Sequence, residues 1–90
     1  MRLCVYNGLM YQVYILRCAD ETLYTGIARD VDARVREHNE SPKAARYTRG
    51  RRPVVLVYHE SCASRSAALV REAAIKRMPR VQKEALIRTV

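Results

Sequence analysis

Five side chains stand out by type and spacing: Tyr14, Tyr24, Arg34, His38 and Glu72. Tyr14 and Tyr24 each fall in a short run rich in β-branched and aromatic residues, where side chains alternate between two faces. An odd-length connecting loop puts both phenols on one face of the resulting hairpin. A two-residue loop puts them on opposite faces. Taken singly, either tyrosine reads as core packing with a satisfied hydroxyl. Arg34 and His38 are four positions apart on a helical pattern and share a face, with Val31 and Val35 turning part of it inward. A solvated Arg beside a half-buried His is an equally good reading of that pair. Glu72 carries more weight. Leu69 and Ile75 lie three positions to either side, so the carboxylate sits along the apolar stripe of its helix. Burying it alone is costly. A divalent cation is one partner that would satisfy it, and Lys76, well placed four positions on, is another. Gly26, two residues after Tyr24, marks a strand position that another backbone or a ligand can approach closely.

The elements that must position these groups follow from the pattern. Tyr11–Arg17 and Leu23–Ile27 predict two strands joined by a turn over Cys18–Thr22. Asp30 is a good N-cap for a helix running to about Asn39. The segment Ser41–Arg52 is broken by Pro42 and Gly50 and carries Lys43, Arg46, Arg49, Arg51 and Arg52 with no acid. Val54–His59 predicts a third strand, and its unbroken apolar run suggests a central position covered on both faces. Ser64 can cap a long helix reaching to about Met78. Pro79 interrupts, and a last helix near Arg80–Arg88 is anchored by Val81, Ala85 and Leu86. The expected architecture is therefore α/β, in the order β-β-α-β-α-α, with a three-stranded sheet flanked by helices as a single domain over residues 10–90. Met1–Leu9 announces no structure. With Met10 directly before the first strand, it reads as a dispensable N-terminal extension.

Charge narrows the partner. The chain has 90 residues, with 17 Lys and Arg against 9 Asp and Glu, a formal net charge of +8. Most of the basic residues are Arg, whose fork matches phosphate oxygens. A small domain of this sign meets a polyanion. Trp and Phe are absent, which weakens an anionic lipid surface as the alternative. No apolar run approaches the length that crosses a bilayer. Cys4, Cys18 and Cys62 show no zinc-ligand spacing and cannot all pair, which reads as a reducing, cytoplasmic setting. Cys18 and Cys62 read as small buried hydrophobes. There is no Gly-rich phosphate loop, no paired acid cluster and no nucleophile elbow.

The segment Val13-Tyr14-Ile15, followed by Tyr24-Thr25-Gly26, resembles the paired strand motifs of the GIY-YIG nuclease family. Arg34 and His38 match the Arg and His of that family's next helix, and Glu72, in Arg71-Glu72-Ala73-Ala74-Ile75-Lys76, matches its metal-binding Glu. Tyr47-Thr48-Arg49-Gly50-Arg51-Arg52-Pro53 and Arg65-Ser66-Ala67-Ala68-Leu69 resemble the small, stand-alone bacterial branch. Val13 stands where the motif has Gly, Thr25 where it has Ile, Glu21 where a turn Gly is common, and Pro79 where a small polar cap is usual.

The resemblance implies phosphodiester hydrolysis in DNA with one divalent ion, Mg²⁺ or Mn²⁺, held by Glu72. It gives Arg34 the role of neutralising the phosphate oxygens. Tyr14 is its first choice of general base and Tyr24 its second. His38 would orient Tyr14 or shuttle protons. Tyr47 would add a phosphate hydrogen bond. Lys76 and the loop residues Arg49, Arg51 and Arg52, with Gly26 allowing close approach, would hold the strand by its backbone. The expected substrate is single-stranded or branched DNA with little base specificity, in a repair or recombination setting. The competing expectation is a binding module that holds nucleic acid on the same fold without cutting it.

Overall fold

The computed structural model describes residues 10–42 and 46–89. The expected extension over residues 1–9, with Cys4, and Lys43 of the basic segment lie outside the described residues. The elements are β1 (Tyr11–Arg17), β2 (Leu23–Ala28), α1 (Val31–Glu40), α2 (Arg46–Arg49), β3 (Val55–Cys62), α3 (Arg65–Lys76) and α4 (Arg80–Ile87). The three strands form one sheet in the order β2-β1-β3, and β1 is antiparallel to both neighbours.

This order corrects one expectation. β1 is the central strand, and β3 lies at an edge. Every residue from Gln12 to Leu16 is buried, whereas Val55 at the start of β3 is 59% exposed. The unbroken apolar run of β3 misled because this edge strand still serves both cores, with Leu56 packed into one and Val57 and Tyr58 into the other. The polar members of β1, Gln12 and Tyr14, disguised a strand buried on both faces. The basic segment also contains a single helical turn, α2, that its punctuation concealed.

The sheet lies between two layers of helix, each with its own core. Tyr14, Leu16, Ala28, Val31 and Val54 form one core on the α1 side, with Tyr24, Val35 and Leu56 packed against it. Val13, Ile15, Tyr58, Ala68 and Ile75 form the other on the α3 and α4 side. Alternation along β1 therefore sends Tyr14 toward α1 and its neighbours Val13 and Ile15 toward α3.

The caps behave as their chemistry requires. Asp30 accepts from the Ala33 amide at 3.1 Å and Ser64 from the Ala67 amide at 3.1 Å, each satisfying an amide that has no partner in the first helical turn. Arg17, at the end of β1, grips Glu84 of α4 through both carboxylate oxygens at 3.0 and 2.8 Å, which fixes the last helix to the sheet.

Candidate active site

The hairpin turn decides where the phenols point. Arg17 pairs with Leu23, so the loop is Cys18–Thr22, an odd number of residues. Thr22 O accepts from the Cys18 amide at 2.9 Å, and Asp20 accepts from the Thr22 amide at 3.1 Å. Glu21 takes φ 70, the left-handed conformation at which a glycine is at ease. Tyr14 then pairs with Gly26, and Leu16 with Tyr24, so both tyrosines lie on the α1 face. Their ring centroids are 6.4 Å apart.

Gly26 is needed by its neighbour. A Cβ built on Gly26 would stand 2.5 Å from the Tyr14 hydroxyl and 2.7 Å from the ring carbon that carries it. The close approach that the glycine permits is that of the Tyr14 phenol. Tyr14 itself is only 1% exposed.

Helix α1 delivers His38 to this phenol. The Tyr14 hydroxyl lies 2.9 Å from His38 Nε2, and His38 Nδ1 lies 2.8 Å from Thr48 Oγ1. We assign the proton to Nδ1, which leaves Nε2 free to accept from the phenol while Nδ1 donates to Thr48. Thr48 is fully buried in α2, so this short helix brings a partner to the imidazole. Arg52 holds the same region by donating from Nε to the His38 carbonyl at 2.6 Å and from Nη2 to the Ser41 carbonyl. Thr48 belongs to a stretch that carries the family resemblance, but its role had no signal of its own, since a threonine within Arg46-Tyr47-Thr48-Arg49 looks like any polar loop residue.

The rings form a continuous cluster. The Tyr24 centroid lies 5.2 Å from that of His38 and 5.8 Å from that of Tyr47. Arg51 stacks over Tyr47 at 4.0 Å, donates to its carbonyl at 2.7 Å and pairs with Asp20 at 3.0 Å. Arg51 and Arg52 thus tie α2 to the hairpin turn and to α1. Arg49 is exposed and donates to the Pro42 carbonyl at 3.2 Å.

Arg34 lies one turn before His38. Its Nη1 donates to the Ile27 carbonyl at 3.3 Å, and its Nε pairs with Glu37 at 3.1 Å. The side chain stays 42% exposed, so the guanidinium is tethered at the β2 edge yet open to solvent.

On α3 the buried stripe runs through Ala68 and Ile75, while Leu69 is 38% exposed. Glu72 therefore sits at the margin of the stripe, with its side chain 18% exposed and 3.3 Å from Lys76 Nζ. The neighbouring Arg71 turns away to grip Glu60 of β3 at 2.9 Å.

Electrostatics link these groups. Burial pushes the Tyr14 phenol far above its ordinary value, and Tyr24 adds to the rise. The Arg34 guanidinium pulls the other way, and the Glu72 carboxylate is near enough to push it further up. The hydroxyl from the central strand therefore feels both the cation of α1 and the anion of α3. Burial also lowers His38 below its ordinary value. The Arg34 charge works in the same direction, Glu37 opposes it, and Arg52 lowers it a little more. His38 is thus a neutral acceptor at neutral pH.

Among the described residues, no three His, Cys, Asp or Glu side chains group together as a metal site. Glu72 is a lone carboxylate. That donor set suits a hard divalent ion that keeps most of its own waters and shares the substrate's oxygens. It does not suit a closed structural site. No helix among the described residues is long and apolar enough to cross a membrane.

Comparison with known proteins identifies the family and the fold. Residues 10–84 match the GIY-YIG catalytic domain. The chain is 55% identical over 76 residues to the UPF0213 protein DP2720 of Desulfotalea psychrophila, covering 84% of this chain and 69% of that protein. It is 52% identical over 77 residues to the UPF0213 protein NP_0776A of Natronomonas pharaonis, covering 86% and 89%. The solution structure of the UPF0213 protein BH0048 from Bacillus halodurans shares the fold with a TM-score of 0.57 at 41% identity, over 89% of this chain and 84% of that one. The solution structure of EF2693 from E. faecalis does so with a TM-score of 0.64 at 36% identity, over 94% and 90%.

Proposed function

The chain belongs to the GIY-YIG family of catalytic domains, and from that premise we propose that it is an endonuclease hydrolysing phosphodiester bonds in DNA with one divalent ion. The observation that carries this reading is the convergence on one hydroxyl. Tyr14 is hydrogen-bonded to a neutral His38 and lies within the fields of Arg34 and Glu72.

A buried phenol with a raised pKa is a poor store of negative charge. It works as a base only if its own proton leaves as it takes another. His38 provides that exit. As Tyr14 takes a proton from the attacking water, its own passes to His38 Nε2, and no free phenolate forms. Thr48 holds the imidazole in the accepting tautomer. Tyr24 lies half-buried beside this pair.

Arg34 faces solvent at the β2 edge and neutralises the non-bridging oxygens as charge builds in the transition state. Glu72 is the residue that would hold Mg²⁺ or Mn²⁺. Such an ion, when bound, polarises the phosphate and offsets charge on the departing oxygen. Lys76, exposed beside Glu72, and the exposed Arg49 would meet neighbouring phosphates. Backbone contacts of this kind tolerate sequence, which fits single-stranded or branched DNA better than a defined duplex site.

The test is a panel of end-labelled single-stranded, duplex and branched DNA, incubated with Mg²⁺ and again with chelator. Metal-dependent cleavage that favours the single-stranded or branched members is expected. Salt-sensitive binding with no cleavage of any member would instead make the chain a binding module.

A further inference from the structure

A cavity of about 630 Å³ opens at the free edge of β2, between α1 and the start of α3. Its walls carry Tyr11, Arg29, Arg34, Glu37 and Arg65. The three guanidinium groups come from three different parts of the fold: the turn after β2, α1, and the first residue of α3. Their states differ. Arg34 pairs with Glu37, and the Asp30 carboxylate in the same wall accepts from the α1 backbone. Both acids are thus engaged internally. Arg29 and Arg65 are exposed and form no ion pair among the described residues, unlike Arg17, Arg34, Arg51, Arg71 and Arg80. Arg29 instead lies over the Tyr11 ring at 4.9 Å, held in place with its donors open.

The cavity volume is that of a pocket for a small organic ligand, ample for one nucleotide. Arg34 is shared between this cavity and the site above. Arg65 and Glu72 are seven positions apart on α3, so they share a face of that helix about 10 Å apart along its axis.

We propose that this cavity is a nucleotide subsite of the nuclease. Arg29 and Arg65 bind the phosphate next to the one held at Arg34, and the Tyr11–Arg29 pair offers its sugar and base a flat wall. The preferred occupant is a flexible strand, because a nucleotide must leave its stack to enter. This assignment rests on the nuclease reading, and the test separates the two.

Glu72→Gln protein, made to bind without cutting, is titrated into a fluorescent single-stranded oligonucleotide, and anisotropy is read across a range of salt. The same titration is made with Glu72→Gln carrying Arg29→Ala and Arg65→Ala, and with a control carrying Arg88→Ala at the far end of α4. Loss of that phosphate site is expected to weaken binding by at least ~10-fold at low salt and to flatten the log–log salt slope by about 0.7. The control is expected to leave both unchanged. Both arginines are exposed, so circular dichroism should show each variant folded. An unchanged affinity and slope in the double arginine variant, with Glu72→Gln itself binding well, would overturn the subsite alone. No binding by Glu72→Gln would remove the nuclease reading and the subsite together.

Discussion

The Tyr14 hydroxyl occupies the space that a side chain on Gly26 would fill, 2.5 Å from where a Cβ would stand. These residues face each other across β1 and β2, and the hydroxyl continues to His38 Nε2 at 2.9 Å. Glycine on the edge strand and the phenol on the central strand are thus one device. The empty side of Gly26 lets Tyr14 lie flat against β2 and meet α1.

Gly26→Ala forces the ring to move, since two of its atoms would lie under 3.0 Å from the new methyl. A misplacement on the scale of 1 Å costs about 100-fold in rate. Turnover should fall by that order while circular dichroism shows the fold retained. A variant with unchanged turnover would remove Tyr14 placement from the mechanism.

Tyr14→Phe leaves the ring and deletes the proton path to His38. Cleavage should fall by about 100-fold or more, the range of a lost acid–base group, with DNA affinity little changed. Because His38 must be neutral to accept, and burial and Arg34 hold its pKa below 6.5, the wild-type rate should be half-lost only below pH 6.5. A half-maximal point at or above that value would contradict the proposed relay.

Glu21→Gly should stabilise the chain. Glu21 holds φ 70, where a Cβ costs on the order of 1 kcal/mol that glycine does not incur. Its exposed pairing with Arg17, at 3.7 Å, offsets little of this. Thermal unfolding should shift upward, and a lower midpoint would count against the turn geometry.

Glu84 predicts acid sensitivity. The Arg17 guanidinium, with Arg80 behind it, pulls its carboxyl down to about 2 from an ordinary 4.5. A carboxyl depressed on folding stabilises the protein above its unfolded value and loses that contribution as pH falls toward the folded one. Wild-type stability should therefore decline between about pH 4.5 and pH 2 more than that of Glu84→Gln. Parallel declines would show that the clamp between β1 and α4 contributes nothing.

The hairpin, three of the helices and both helix caps were legible because local chemistry states them: β-branched runs, Asp30, Ser64. The site was legible in part. Parity of the turn left two outcomes for Tyr14 and Tyr24, and only the Arg17–Leu23 pairing chose between them. Strand order was misread because burial of β1 comes from layers on both sides, whereas Gln12 and Tyr14 look amphipathic in isolation. The role of Thr48 and the turn of α2 were invisible because their order comes from His38 and Tyr24, both well removed in sequence. The cavity at Arg29 and Arg65 is likewise a product of tertiary contact, since nothing local relates those two positions.

The central claim is that Tyr14, Arg34 and Glu72 act on one phosphate. The most direct measurement is single-turnover cleavage of a labelled single strand in Mg²⁺, with enzyme in excess, comparing wild type and Glu72→Gln at matched DNA occupancy. Wild type should cut, and Glu72→Gln should bind the strand but leave it intact. Cutting by Glu72→Gln at the wild-type rate would contradict the account.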